Sequence, residues 1–379
     1  MEVICDSTQC TGCFTCQNAC PVSAITMQEK GIGHLYPVIN HDKCIDCGKC
    51  VRVCPVNSKP ELYMPKKTYA AWASDLDEHK TSTSGGVAAV LTRKILEDGG
   101  VVYGCALKDG EIKHIRVNSL EDAQLLKGSK YVHSHINDAI KDIQTDIKIG
   151  RKVLFVGTPC QVAGIKSYFS EKSISNNFFT ADLICHGVPP QRILFEYLSC
   201  LGFIASELTQ LKFREQGGCY LYVAQSNKCY RASERKDLYY MAFNDNILFR
   251  ESCFSCRYAI LKRVGDLTIG DFWGLGKTTP FQYKTGGNIS VVLVNTPQGQ
   301  SLLAECSESG SLILFERSLE EAVNGNHNLK HPSPKNNADR FRKLYPKYPL
   351  KIALNLCLVI RRIRSILSPV KMFLQKMAR

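Results

Sequence analysis

Cys10-Thr11-Gly12-Cys13-Phe14-Thr15-Cys16-Gln17-Asn18-Ala19-Cys20-Pro21 is a run whose pattern returns 34 residues later as Cys44-Ile45-Asp46-Cys47-Gly48-Lys49-Cys50-Val51-Arg52-Val53-Cys54-Pro55. Both read Cys-x2-Cys-x2-Cys-x3-Cys-Pro. Three closely spaced thiolates can take three corners of one iron–sulfur cube, and in a two-cluster arrangement the fourth cysteine of each run crosses to the other cube. Cys10, Cys13, Cys16 and Cys54 are therefore expected at one 4Fe-4S cluster, and Cys44, Cys47, Cys50 and Cys20 at a second. The competing reading is a pair of zinc knuckles. Zinc sites use two Cys-x2-Cys pairs or mixed Cys/His sets, not a doubled four-cysteine run ending in proline. Cys5 fits neither run and is expected to be a free or packed thiol.

Working outward, residues 1–62 read as a dicluster ferredoxin-type module, and Pro60, Pro65 and Lys66-Lys67 as a linker. Residues 68–188 alternate between strand patterns (69–73, 101–106, 112–117, 153–156, 178–184) and helical ones (86–97, 136–147, 160–169). Residues 189–323 continue with helices at 191–201 and 298–306 and strands at 208–213, 220–225, 266–270 and 289–295. This alternation predicts an α/β fold with mixed α+β elements, in which 68–188 and 189–323 are two parts of one domain. Residues 324–379 form a basic tail that opens on a loop.

The chain has 379 residues, of which 19 are cysteine, and a net charge of +13. Met1 to Asp6 has neither a basic nor an apolar stretch of the secretory kind, so the expected setting is a reducing cytoplasm, with cysteines used for metal or redox work. From Lys330 to Arg379 there are thirteen Lys/Arg and one acid, Asp339, so the tail carries +12 and the rest +1. Within it Leu356, Ile360, Ile363, Leu367, Val370 and Leu374 recur at helical spacing, opposite Arg361, Arg364 and Lys371, with Pro369 as a kink. A cationic amphipathic helix over 350–379 fits peripheral contact with the inner face of an anionic membrane; a helix packed on the body is the alternative. With Phe373 as its one aromatic, the helical stretch offers little for stacking bases, which disfavours nucleic acid.

Several further motifs recur in order: Ser82-Thr83-Ser84-Gly85-Gly86 before an apolar helix, Gly128-Ser129-Lys130-Tyr131, Gly157-Thr158-Pro159-Cys160-Gln161 after an apolar strand, Cys185-His186-Gly187, and Cys253-x2-Cys256 followed by Gly270-Asp271-Phe272. Hydroxyls and glycines at a helix start favour an anion, and a strand-to-helix turn is a common cofactor position. Alone, Cys253-x2-Cys256 reads equally as half a zinc site or a dithiol pair, and Cys160 or Cys185 as a packing residue. Taken together, residues 68–320 resemble the family formed by the beta subunits of coenzyme F420-reducing hydrogenases and F420-linked dehydrogenases, for which a ferredoxin module is a common companion. The resemblance implies an FAD-containing oxidoreductase with a third 4Fe-4S cluster. Carried over by position, Ser84, Gly85, Gly86, Ser129, Lys130, Thr158 and Pro159 would line the flavin, and Lys130 would stabilise its reduced anion. Cys160, Cys185, Cys253 and Cys256 would hold the third cluster.

The expected partners are a redox protein or ferredoxin and a small-molecule hydride donor or acceptor. Lys262-Arg263, where acidic and small residues would be expected of the archaeal enzymes, leaves open whether that molecule is coenzyme F420 or another. The alternative is a non-catalytic electron-transfer subunit that docks a partner enzyme. His186 is expected to pack or to orient its loop, and Cys105, Cys200, Cys219, Cys229, Cys306 and Cys357 to be isolated core or surface residues.

Overall fold

The structure is a computed structural model and describes residues 3–169, 176–215, 218–283, 285 and 287–359. In the N-terminal module, β1 (Ile25–Lys30) and β2 (His34–Ile39) form an antiparallel hairpin in the register Ile25↔Ile39 to Lys30↔His34. Short helices at Thr15–Ala19 and Lys49–Arg52 lie within the two cysteine runs, and a third, Pro55–Ser58, follows the second.

The rest of the chain is organised by a mixed sheet. Its strands are β3 (Lys67–Ala73), β4 (Val101–Lys108), β5 (Glu111–Val117), β6 (Val153–Gly157) and β7 (Phe178–Leu183). A separate antiparallel meander, β8 (Gln210–Glu215), β9 (Gly218–Gln225) and β10 (Lys228–Ser233), comes next in the chain. The large sheet then receives β11 (Leu267–Asp271), β12 (Ser290–Val294) and β13 (Leu312–Glu316), in the order β13-β3-β12-β11-β7-β6-β4-β5. β4, β6, β7 and β11 run parallel, and β3 shares their direction because both it and β11 are antiparallel to β12. Five carboxyl ends therefore meet at one edge, where ligands bind in sheets of this type.

Both faces of the sheet are covered, which is why β6 (VLFVG) and β12 (SVVLV) are continuous apolar runs. Leu154 turns to helices Val87–Glu97 and Pro297–Glu308, packing with Leu91, Ile95 and Leu302. Val153 and Phe155 turn to helices Ala139–Lys148 and Pro159–Tyr168, packing with Ile140, Ile143, Val162 and Ile165. Phe14 joins this second core and seats the N-terminal module on the helix Pro159–Tyr168. The chain on either side of residue 188 thus contributes strands to one sheet.

Several elements had no sequence expectation: β10, β13 and helices Leu238–Asn244, Leu319–Gly325 and Ala338–Leu344. β10 (KCYRAS) is largely solvent-facing, with only Tyr230 and Ala232 partly buried, so its alternation carries little hydrophobic contrast. Residues 350–359 are helical. Leu350, Leu354 and Leu358 lie in the core formed with Ile193, Phe213 and Tyr239, so this first part of the tail packs on the body. The remainder of the amphipathic stripe, from Ile360 on, lies outside the described residues.

Candidate functional site

The ferredoxin cysteines lie in two groups. Burial pushes the thiols of Cys13 and Cys16 up, and the nearby Cys10 and Cys54 add to it, so the first three cysteines and the last of the second run share one space. Hydrogen bonding from Cys5 draws Cys10 down to about 6 and Cys54 to about 7. Cys5 is therefore a half-buried neighbour of this set. Cys20, Cys44, Cys47 and Cys50 line one small pocket with Ile25 and Ile39, and Cys47 is exposed. Gly12 and Gly48 have φ of 65° and 69°, the left-handed turns that fold each run back.

The second assembly lies at the carboxyl edge. Cys160 sits in the first turn of helix Pro159–Tyr168, where the dipole favours a thiolate. Gln161 Oε1 accepts from Thr158 N and from Thr158 Oγ1, both at 3.0 Å, and Thr158 Oγ1 lies 3.2 Å from Cys160 Sγ. Cys185 follows β7, and Cys253 and Cys256 come from the segment before β11. Burial pushes all four thiols up, Cys185 and Cys253 to about 12. Cys160 is raised further by Cys185, Cys256 and Cys253, and Cys185 by Cys253 and Cys256. Four half-buried thiols that oppose one another's ionisation are poorly suited to remain as bare thiolates. A metal group that compensates their charge suits them well. Among the described residues no three or more His, Cys, Asp or Glu side chains converge on a single-ion position. A cubane is a larger object whose thiolates stand around it, and the donor set fits one.

Two devices hold these loops together. Gly187 has φ 136°, and a Cβ there would run into the Phe249 ring; Arg250 N also donates to Val188 O at 3.2 Å. The second device is Arg263, fully buried, which donates to Asp182 Oδ1 from Nε (3.2 Å) and Nη2 (2.7 Å), and to the carbonyls of Tyr258 and Leu183. Asp182 Oδ2 accepts from Val264 N and Gly265 N, which clamps the chain after Cys256 to the end of β7 before Cys185. Lys262-Arg263, noticed in the sequence for its charge, thus contains an internal fastener. His186 is held down to about 4 by burial, is therefore neutral, and its carbonyl accepts from Ser333 Oγ at 2.7 Å.

The residues expected at a flavin gather at the same edge. Ser129 N donates to Thr83 Oγ1 at 3.2 Å, which brings 127–130 against the loop before helix Val87–Glu97. Ser84 Oγ and Gly85 N both bond Ser290 Oγ, at 3.0 and 2.9 Å. A Cβ on Gly85 would collide with Ala71 O, and Gly86 has φ 85°, so the fold's own backbone already requires both glycines. Lys130 differs from its expectation. Its buried ammonium donates to the carbonyls of Cys105, Leu125, Leu126 and Lys127 at 2.8–3.4 Å, which ties the loop to β4. Beside this loop opens a cavity of about 470 Å³ lined by Arg214, Asp271, Trp273, Phe281 and Asn288. Arg214 pairs with Asp271 and lies 5.4 Å from the Trp273 ring, and Trp273 is 53% exposed. Arg214 Nε and Asp271 Oδ1 are buried without a partner among the described residues. Arg214, Arg250 and Arg263 were not anticipated as functional residues, because nothing local in a sequence distinguishes a buried arginine from a surface one.

Residues 150–318 match the family defined by the C terminus of the beta subunit of coenzyme F420 hydrogenase/dehydrogenase, and residues 9–58 match the "4Fe-4S dicluster domain". The chain is 25% identical over 167 residues to the F subunit of F(420)H(2) dehydrogenase from Methanosarcina mazei, covering 40% of this chain and 46% of that one. It is 28% identical over 175 residues to the coenzyme F420-dependent sulfite reductase of Methanocaldococcus jannaschii, covering 44% and 26%. The match thus spans less than half the length of either relative. A chain of the F420-reducing [NiFe] hydrogenase complex from Methanosarcina barkeri aligns with a TM-score of 0.49 at 16% identity, over 78% of this chain and 90% of that one. The chain thus carries a 4Fe-4S dicluster domain at residues 9–58 and, at residues 150–318, a segment that matches the C-terminal domain of coenzyme F420 hydrogenase/dehydrogenase beta subunits.

Proposed function

We propose that the chain is an iron–sulfur flavoprotein oxidoreductase that exchanges electrons with a redox protein at its ferredoxin module and hydride with a small molecule, coenzyme F420 or another. The observation that carries this reading is the gathering of Cys160, Cys185, Cys253 and Cys256, from distant parts of the chain, at the carboxyl edge of the sheet, the edge on which the cavity lined by Asp271 at the end of β11 also opens. A bound flavin would supply the step from two-electron hydride chemistry to one-electron transfer. Thr83, Ser84 and Ser129 would hold it by their hydroxyls and backbone, and Thr158-Pro159 would border it on the side of the cysteines.

The test is anaerobic purification followed by iron, sulfide and flavin assay and a screen of reduced donors. Three cubanes require about twelve irons at four per cluster, and heating should release FAD. Protein that is iron-replete but takes up no added FAD would make the chain an electron-transfer subunit of a partner enzyme. Residues 360–379 carry Arg361, Arg362, Arg364, Lys371, Lys376 and Arg379, and we assign them contact with an anionic membrane face. Cosedimentation with anionic vesicles should be salt-sensitive and should be lost on removing 360–379 alone, which spares the packed residues 350–358.

A further inference from the structure

Arg250 is entirely buried, and its guanidinium meets no carboxylate among the described residues. Nε donates to Cys10 O at 2.6 Å, and Nη2 donates to Leu35 O at 2.8 Å and to Cys10 Sγ at 3.4 Å. Nη1 has no partner among the described residues, and the guanidinium lies 4.0 Å from the centre of the Tyr36 ring. Gly12 leaves the space it fills: a Cβ there would come within 2.8 Å of Nη1 and 2.9 Å of the His133 ring. The neighbouring His34 and His133 are held well below their ordinary range by burial and by Arg250 itself, so they stay neutral. An uncompensated buried cation is strongly unfavourable. Among the described residues, the one source of formal negative charge it touches is the Cys10 sulfur.

The two ferredoxin sites differ in this respect. At the second, Arg52 Nη1 donates to Cys47 O at 3.0 Å, but Arg52 is exposed and its field is screened by solvent. They differ in position as well. Cys13 packs on Gly164, whose Cβ would lie 3.0 Å from Cys13 Sγ. Gly164 is one helical turn from Cys160, and Tyr258 feels the charge of both Cys160 and Cys13. The first ferredoxin site is the inner one, against the second cysteine assembly; the second faces outward through Cys47.

We propose that Arg250 is the built-in counter-charge of the Cys10/Cys13/Cys16/Cys54 site and makes it the more easily reduced of the two ferredoxin sites. This rests on the assignment of those four cysteines to one 4Fe-4S cluster. Each one-electron reduction adds negative charge to an already anionic cluster, and a fixed cation hydrogen-bonded to its sulfur at low dielectric favours the reduced state. Electrons entering at the exposed cluster therefore collect at the inner one, one at a time, beside the Cys160 helix. Arg250 is a positioning residue for charge and touches no substrate.

Potentiometric titration monitored by EPR on the full chain, purified anaerobically, tests this in wild type, R250Q and R250K, with C13S to identify the inner cluster's signal. R250Q should lower the inner midpoint potential by a tenfold change in the one-electron equilibrium, about 59 mV, and leave the outer one in place. R250K, which keeps the charge but loses the fork, should recover most of the shift. Unchanged potentials in iron-replete R250Q overturn the proposal. If R250Q does not load the inner cluster, R250K decides: a loaded cluster near the wild-type potential supports the counter-charge, and a second failure to load overturns it. A missing third cluster would sink the oxidoreductase reading, yet the two ferredoxin potentials would still decide this one.

Discussion

In the N-terminal module, three of the four cysteines at each site come from one seven-residue run, whereas Cys160, Cys185, Cys253 and Cys256 are drawn from a stretch of nearly a hundred residues. The first arrangement needs little beyond its own backbone, with left-handed glycines, short helices and a proline after each crossing ligand. The second exists only if β7, the helix Pro159–Tyr168 and the segment before β11 are locked together. The locks are the Arg263–Asp182 ion pair, Gly187 against the Phe249 ring and the Thr158 cap. Local sites are written into sequence spacing; dispersed sites are written into the packing that surrounds them.

The sharpest way to break this contrast is to remove one ligand from each. Cys185→Ser should take the holoprotein from about twelve irons to about eight at four per cubane, while both ferredoxin EPR signals persist. Cys13→Ser should lose a ferredoxin signal and keep the third. A smaller effect is expected from Arg263→Met, which leaves Asp182 buried and uncompensated. It should cost about 3–5 kcal/mol in chemical denaturation and loosen the Cys253/Cys256 loop without touching the ferredoxin signals. Gly164→Ala probes the seam between the regions. Its methyl would press on Thr15 and Cys13, for about 1–3 kcal/mol of overpacking, and any magnetic interaction between the inner ferredoxin cluster and the third should weaken. The mildest change is Thr158→Ala, which loses the hydroxyl contacts to Gln161 and Cys160. A loss of about 1 kcal/mol is expected from the cap, read as a small drop in Tm with iron content intact.

The same contrast explains what could be read in advance. The doubled cysteine run, the short apolar runs around Leu154 and Val292 and the helical stretch starting at Gly86 all carry a local pattern, and their positions follow from it. The linkage of Cys160, Cys185, Cys253 and Cys256 came only through the resemblance, since no spacing rule joins cysteines nearly a hundred residues apart. Arg263 drew notice for its charge, but its role depends on Asp182, eighty-one residues earlier in the chain. Lys130 shows the converse. Its motif pointed to a ring, yet its ammonium is taken up by four carbonyls that only the fold brings together.

The place of β3 sets an order on biosynthesis. β3 is the first strand of the large sheet to leave the ribosome, yet both its neighbours are late ones: Tyr69 pairs with Val292 on one side and Glu316 on the other. At about 5–20 residues per second, roughly ten to forty-five seconds separate its synthesis from that of β12, the earlier of the two. Throughout that interval its apolar residues Ala70, Ala71 and Trp72 have neither flanking strand in place. The ferredoxin cysteines, all within the first fifty-four residues, are complete before β3 is made. Their iron can be installed on a nascent chain, whereas the Cys160 assembly has to wait for Cys256. Cells short of iron–sulfur supply should therefore accumulate chains with filled ferredoxin sites and an empty Cys160 assembly, whereas β3 is the segment through which nascent chains can stick to one another until β12 is made.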